Sequence, residues 1–314
     1  MFHLALLFLC LPPVQRDRSI VWTAGWSHDD KYVATGNDKG WVNIYETANW
    51  RKVYSWCDTG ATIAKLEWNP KYPLLAITGF TSGNHTPTTR IFNMETRQSI
   101  TLPDTIKGRG VSWKPDGEQV AFVSTHGYIS IFFRNGVYIK TLSYRNPNGL
   151  FDIDWHPSLN LLLAVEENIH LIDIDRNIVQ ANFEDGTENK GILCAQWHPS
   201  GQYFATGDYG HEGEGGEPSF LKIWSLTGTL KSASTNSKSE YRNIRWSNDG
   251  KYLAAAGDML LLFDHKNKLK KIKTGRDNCW GIGWNSTSNK IVTTDQAGVV
   301  RIVDVKGKLL RKFK

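Results

Sequence analysis

The chain has 314 residues, 40% hydrophobic and 22% charged, a balance that excludes an intrinsically disordered or collagen-like polypeptide. Its length allows two average domains or one large all-β domain, and no apolar run reaches the ~18–20 residues that cross a bilayer as a helix. Net charge is +6 and uneven: residues 266–314 carry 13 Lys/Arg against three Asp, which leaves 24 basic and 28 acidic side chains in the rest.

In chain order, the first feature is the apolar stretch LALLFLCL at 4–11, followed by Pro12 and Pro13. It has the length of a signal-peptide core, but no Lys or Arg precedes it and no A-x-A site follows. Cys10 lacks the small preceding residue of a lipoprotein signal. Residues 1–18 are read as an apolar leader or tail, with cytoplasmic and exported or cell-envelope locations both open. Residues 19–314 are read as one domain.

The 13 tryptophans then supply a register. Trp26, Trp68, Trp113, Trp155, Trp197, Trp246 and Trp284 each end a short apolar run and open a turn rich in Pro, Asp, Asn, Ser and Gly, at spacings of 42, 45, 42, 42, 49 and 38 residues. A second apolar run follows each turn (YVATG, LLAITG, QVAFVS, LLLAVE, YFATG, YLAAAG, KIVTTD), then a third (VNIY, TRIF, ISIF, IHLIDI, LKIW, LLLF, VRIV). The fourth is more polar, as in KVYSW and LLRKF. Four short strands per repeat, with no helical periodicity, predict one antiparallel sheet per repeat. Seven such sheets bury their faces by stacking radially, an all-β seven-bladed propeller of four-stranded blades.

The strand, Trp, polar turn, hydrophobic-Ala-x-Gly and hydrophobic-x-Ile-Trp/Tyr/Phe pattern resembles the WD-repeat (WD40-type) β-propellers over residues 19–314. The Gly-His dipeptide that usually precedes the first strand in that family is absent from all seven repeats, and the nearest approach to Trp-Asp is Ile223-Trp224-Ser225. Turn acids such as Asp38 and Asp295 are present. The last repeat ends in its own fourth strand, so an exchange of strands between the termini is not required. The resemblance implies that first strands line a central channel and that a loop face binds protein or peptide partners.

Counting back from each anchor Trp locates that face. The residues two back (Ala24, Leu66, Val111, Ile153, Ala195, Ile244, Ile282) and five back (Val21, Ile63, Gly108, Leu150, Ile192, Tyr241, Cys279) are mostly apolar. These sets have opposite strand parity, so the pleat must break between them for both to reach the core. The residues four back then fall at the rim: Trp22, Ala64, Arg109, Phe151, Leu193, Arg242 and Trp280. Trp, Phe and Arg are the residue types of interface hot spots. Inter-blade packing is an equal reading for the three rings, and the arginines are expected to be the more exposed. Polar residues one and three back, among them Lys65, Glu67, Asp152, Asp154, Gln196, Asn243 and Arg245, are expected to line the channel and pair with one another. Two long connections, GFTSGNHTPTT with His85 and GDYGHEGEGGEPSF with His211, read as contact loops on the same face.

Partner binding is therefore placed on Trp22, His85, Arg109, Phe151, His211, Arg242 and Trp280, in a monomeric propeller working within a complex. No catalytic residue, cofactor, metal site or specific nucleic-acid partner is expected. No GxSxG, HExxH or Walker motif occurs, and the four cysteines share no ligand spacing. His156 and His198 are expected to make local turn hydrogen bonds. Two alternatives stand beside the scaffold reading. One is a propeller hydrolase or small-ligand receptor using Glu67, Asp152 and Asp154. The other is polyanion binding through basic blades six and seven, whose lysines otherwise decorate exposed outer strands.

Overall fold

The computed structural model describes residues 19–81, 89–103, 106, 108–143, 149–184, 191–210, 218–264, 269–272 and 277–314. Among them are seven four-stranded antiparallel sheets, each built from four strands consecutive in sequence. Blade one runs Val21–Trp26, Tyr32–Asn37, Trp41–Glu46, Arg51–Cys57. The inner strands of the next six are Ala61–Trp68, Val111–Trp113, Asp152–Trp155, Ile192–Trp197, Asn243–Trp246 and Cys279–Trp284. Successive inner strands pack on one another, and those of blades one and seven meet, so the sheets form a closed seven-bladed β-propeller.

Burial falls from the axis outward. Second strands such as Leu161–Val165 are buried on both faces, because each sheet lies between two others; an outer strand such as Gln98–Thr101 is wholly exposed. The apolar clusters accordingly lie between blades. In one, Ala34, Val42 and Ile44 of blade one pack on Ile63, Leu66 and Trp68 of blade two. All seven anchor tryptophans are buried. Each ring removes ~150–250 Å² from water, about 4–6 kcal/mol of transfer free energy at ~25 cal/mol per Å² as an upper bound.

The broken pleat is present. A β-bulge interrupts the inner strand between the residues five and three before Trp in blades one, two and five (Val21/Thr23, Ile63/Lys65, Ile192/Cys194), and a wider irregularity spans Cys279/Ile282 in blade seven. In blades three, four and six the strand starts only after this point. Residues two and five back from every anchor are consequently all buried.

Blades seven and one join through side chains. Thr294 Oγ1 donates to the Val21 carbonyl at 2.6 Å and accepts from Gly281 N–H at 2.8 Å. Asp30 accepts from Ser286 N–H at 2.7 Å, Ser286 Oγ at 2.8 Å and Asn285 Nδ2 at 3.2 Å. Phe313 packs on Tyr45 with ring centroids 4.5 Å apart. Trp50 sits in the turn before the outer strand with φ of 60°, edge-on to Trp26 at 5.8 Å.

Candidate functional site

The inner strand is an edge of its sheet, so every second backbone N–H points at the neighbouring blade without a ladder partner. The polar channel residues meet that need. Glu67, Ser112, Asp154 and Gln196, each one residue before its anchor, accept from the N–H of Trp113, Trp155, Trp197 and Trp246 in the following blade, at 3.0, 3.0, 2.7 and 2.5 Å. Thr23 and Asp152, each three before, accept from Leu66 and Ala195 N–H, both at 3.2 Å. Asp152 also forms a buried ion pair with Lys65, and Glu67 faces Arg245 at 3.5 Å. The three carboxylates singled out for channel chemistry are thus all tied into blade-to-blade contacts. Burial, then the charge of Glu67, pushes the Asp154 carboxyl up to about 7.

A second inter-blade link follows each of three anchors. Asn69, His156 and His198 donate to the carbonyls of Gly117, Gly201 and Gly250 in the next blade, at 2.8, 3.0 and 3.0 Å. Each histidine also accepts backbone N–H groups of its own turn on Nδ1, which puts the proton on Nε2. The local bonds expected for His156 and His198 are therefore half of their role. The other half holds neighbouring blades together.

At the bulge end of the channel the seven residues four back from the anchors converge. Trp22, Ala64, Arg109, Phe151, Leu193, Arg242 and Trp280 line one cavity together with Lys65, Asp152 and Asn243. The bulge causes this: it aims at the mouth a side chain that a regular pleat would point elsewhere. Trp22 and Trp280 lie 4.8 Å apart between centroids. The Arg109 guanidinium lies 5.5 Å from the Trp22 ring and 5.7 Å from Phe151; that of Arg242 lies 4.6 Å from Trp280 and 5.8 Å from Trp22. Such cation–π contacts contribute about 0.5–2 kcal/mol each. The result is a collar of alternating rings and guanidiniums, closed to about 20 Å³ of free space, room for roughly one water.

The arginines are less exposed than expected. The Arg242 side chain retains 14% of its exposure and pairs with Glu240 at 2.6 Å. Arg109 is partly buried between rings; burial, then the charge of Arg242, pulls its pKa down to about 10. Packing and rim placement are not alternatives for Trp22, Phe151 and Trp280, since the rings form the rim by packing across blades. His85 and His211 lie outside the described residues. Counting from the anchors misses Phe80, edge-on to Trp22 at 5.7 Å, and Tyr209, 5.3 Å from the Arg242 guanidinium. Both are aromatics one or two residues past the glycine closing a second strand, the signal that marks them.

Among the described residues no group of three or more His, Cys, Asp and Glu is placed to hold a metal ion, and no helix is long and apolar enough to cross a membrane. Lys306, Lys308, Arg311, Lys312 and Lys314 are exposed on the outer strand of blade seven and the turn before it.

The family model described as WD domain, G-beta repeat matches residues 180–225. The match begins in the outer strand of blade four, Ile178–Glu184, and runs through the third strand of blade five, Leu221–Ser225. It therefore covers an outer strand and the three inner strands of the next sheet, the segment that carries one blade-to-blade junction.

Proposed function

The chain is a WD-repeat β-propeller of seven four-stranded blades, and on that premise we propose that it is a non-catalytic scaffold whose collar holds a protein or peptide partner. The observation that carries this reading is the convergence of Trp22, Arg109, Phe151, Arg242 and Trp280 on one mouth of the channel. Trp and Arg gathered at the centre of a surface are the residue types that dominate the binding energy of interfaces. The channel carboxylates support the same reading, since each is occupied with the neighbouring blade.

The test is affinity capture with the wild-type protein and with the double variant Arg109→Ala, Arg242→Ala, both first shown to melt cooperatively. A partner held by the wild type and lost by the double variant is the expected result. Capture of the same proteins by both would overturn the collar as the binding surface.

A further inference from the structure

We propose that the collar receives a single carboxylate group of a partner polypeptide against the guanidinium of Arg109, an inference that rests on the scaffold reading above. Three cations and two carboxylates meet there. Lys65 pairs with Asp152, and Arg242 pairs with Glu240. Arg109 is left over: among the described residues nothing accepts a hydrogen bond from it and no carboxylate forms an ion pair with it. Its neighbours are the rings of Trp22 and Phe151, so its N–H groups stay unanswered.

Two further donors share that condition. The indole Nε1 groups of Trp22 and Trp280 are buried without a hydrogen-bond partner. Buried donors are ordinarily satisfied, yet two residues lining this cavity hold buried indole N–H groups without an acceptor, beside an arginine that no carboxylate among the described residues pairs with. The complement of such a site is an acceptor bearing one negative charge. A carboxylate has that charge and matches the planar fork of an arginine with two parallel hydrogen bonds. The free space is small, about 20 Å³, and a flat carboxylate is a smaller group than a tetrahedral phosphate. The depressed pKa of Arg109 agrees, since a guanidinium short of compensating charge gains from an arriving anion. The carboxylate can sit on an Asp or Glu side chain or end a chain, and the chemistry at Arg109 is the same.

The experiment uses the full chain with ¹⁵N-labelled indoles, the two collar resonances being assigned with Trp22→Phe and Trp280→Phe. It is titrated with N-acetylglutamate methylamide, carrying a side-chain carboxylate, and with N-acetylalanine, carrying a terminal one. N-acetylglutamine methylamide, N-acetylalaninamide and inorganic phosphate serve as comparisons. Saturable shifts of the Trp22 and Trp280 indoles with the carboxylates and not with the neutral amides are expected, and the tighter carboxylate identifies the source. Arg109→Gln should weaken this at least tenfold while the other indole resonances hold their positions; Arg109→Lys, which keeps the charge and loses the fork, should fall between. Equal response to carboxylates and amides, tighter binding of phosphate, or unchanged affinity in Arg109→Gln would each overturn the proposal. The first two comparisons need no variant. These probes also need no partner, so a collar indifferent to carboxylates in a protein whose partner capture still depends on Arg109 and Arg242 overturns this inference alone. A collar that binds carboxylates while capture ignores both arginines overturns the scaffold reading instead.

Discussion

The carboxylate of Asp154 in blade four accepts the backbone N–H of Trp197 in blade five at 2.7 Å. Its other oxygen accepts from Ser112 Oγ of blade three at 3.3 Å, so one side chain bridges three consecutive blades. A charged carboxylate is not required for either bond, and its burial makes the charge costly.

Asp154→Asn therefore tests what the charge does. The folded carboxyl, at about 7, lies above its ordinary value of 3.8, so the folded protein binds the proton more tightly than the unfolded chain. Stability linked to this group is complete below about pH 4 and is lost as pH rises toward 7. Relative to wild type, Asp154→Asn should gain stability steadily between pH 4.5 and 8 in denaturant titrations. A difference independent of pH would show that the proton on Asp154 does not matter.

His156 and His198 have the opposite sign. Burial lowers both below their ordinary 6.5, and a proton on Nδ1 would also break the turn bonds that it accepts. The unfolded chain takes up protons first, so stability present above pH 6.5 is lost as pH falls below it. Blade two shows the neutral solution: Asn69 donates to Gly117 while its Oδ1 accepts Lys71 and Tyr72 N–H. His198→Asn should keep the fold and flatten the decline in melting temperature between pH 7 and 5. An equally steep decline would sink the assignment.

Glycine positions separate two costs. Gly250 has φ of 70°, and a Cβ there would stand 2.5 Å from His198 Nε2. Gly250→Ala should destabilise by about 1–3 kcal/mol through backbone strain and displacement of that ring. At Gly25 the same methyl would meet Leu66 and Trp68 at an ordinary 3.6 Å. Gly25→Ala should be neutral or stabilising by up to about 1 kcal/mol, since it restricts the unfolded chain. Urea denaturation of the two variants side by side decides the point.

Asp30 closes the ring with three acceptor contacts to blade seven. Asp30→Ala should cost roughly 1–3 kcal/mol. Amide exchange should quicken first in the inner strands of blades one and seven and least in blade four. Uniform acceleration around the ring would mean that the loss is global.

Much of this was legible in the sequence because the repeat is its own alignment. Seven anchor tryptophans set the blades, and the clash of parity between residues two and five back required a bulge and put Trp22, Arg109, Phe151, Arg242 and Trp280 at one level. What the partners do across a gap of 43–50 residues was not legible. Glu67, Ser112, Asp154 and Gln196 share only polarity, and their common task appears when the next inner strand is known to present an unpaired N–H. The burial of Arg109 likewise depends on rings from blades one and four closing over it, which no local pattern in blade three encodes.

Every blade is made from one contiguous segment, and six of the seven junctions are spanned by a connecting loop. Among the described residues, the seam between blades seven and one is held by side chains. It behaves as the split in a washer: pulling it apart breaks no β-ladder and unfolds no sheet. A circular permutant that joins residue 314 to residue 19 and opens the chain between two other blades would weld that split. Its resistance to forced opening, compared with the natural order, would measure how much the ring owes to Thr294, Asp30 and Phe313.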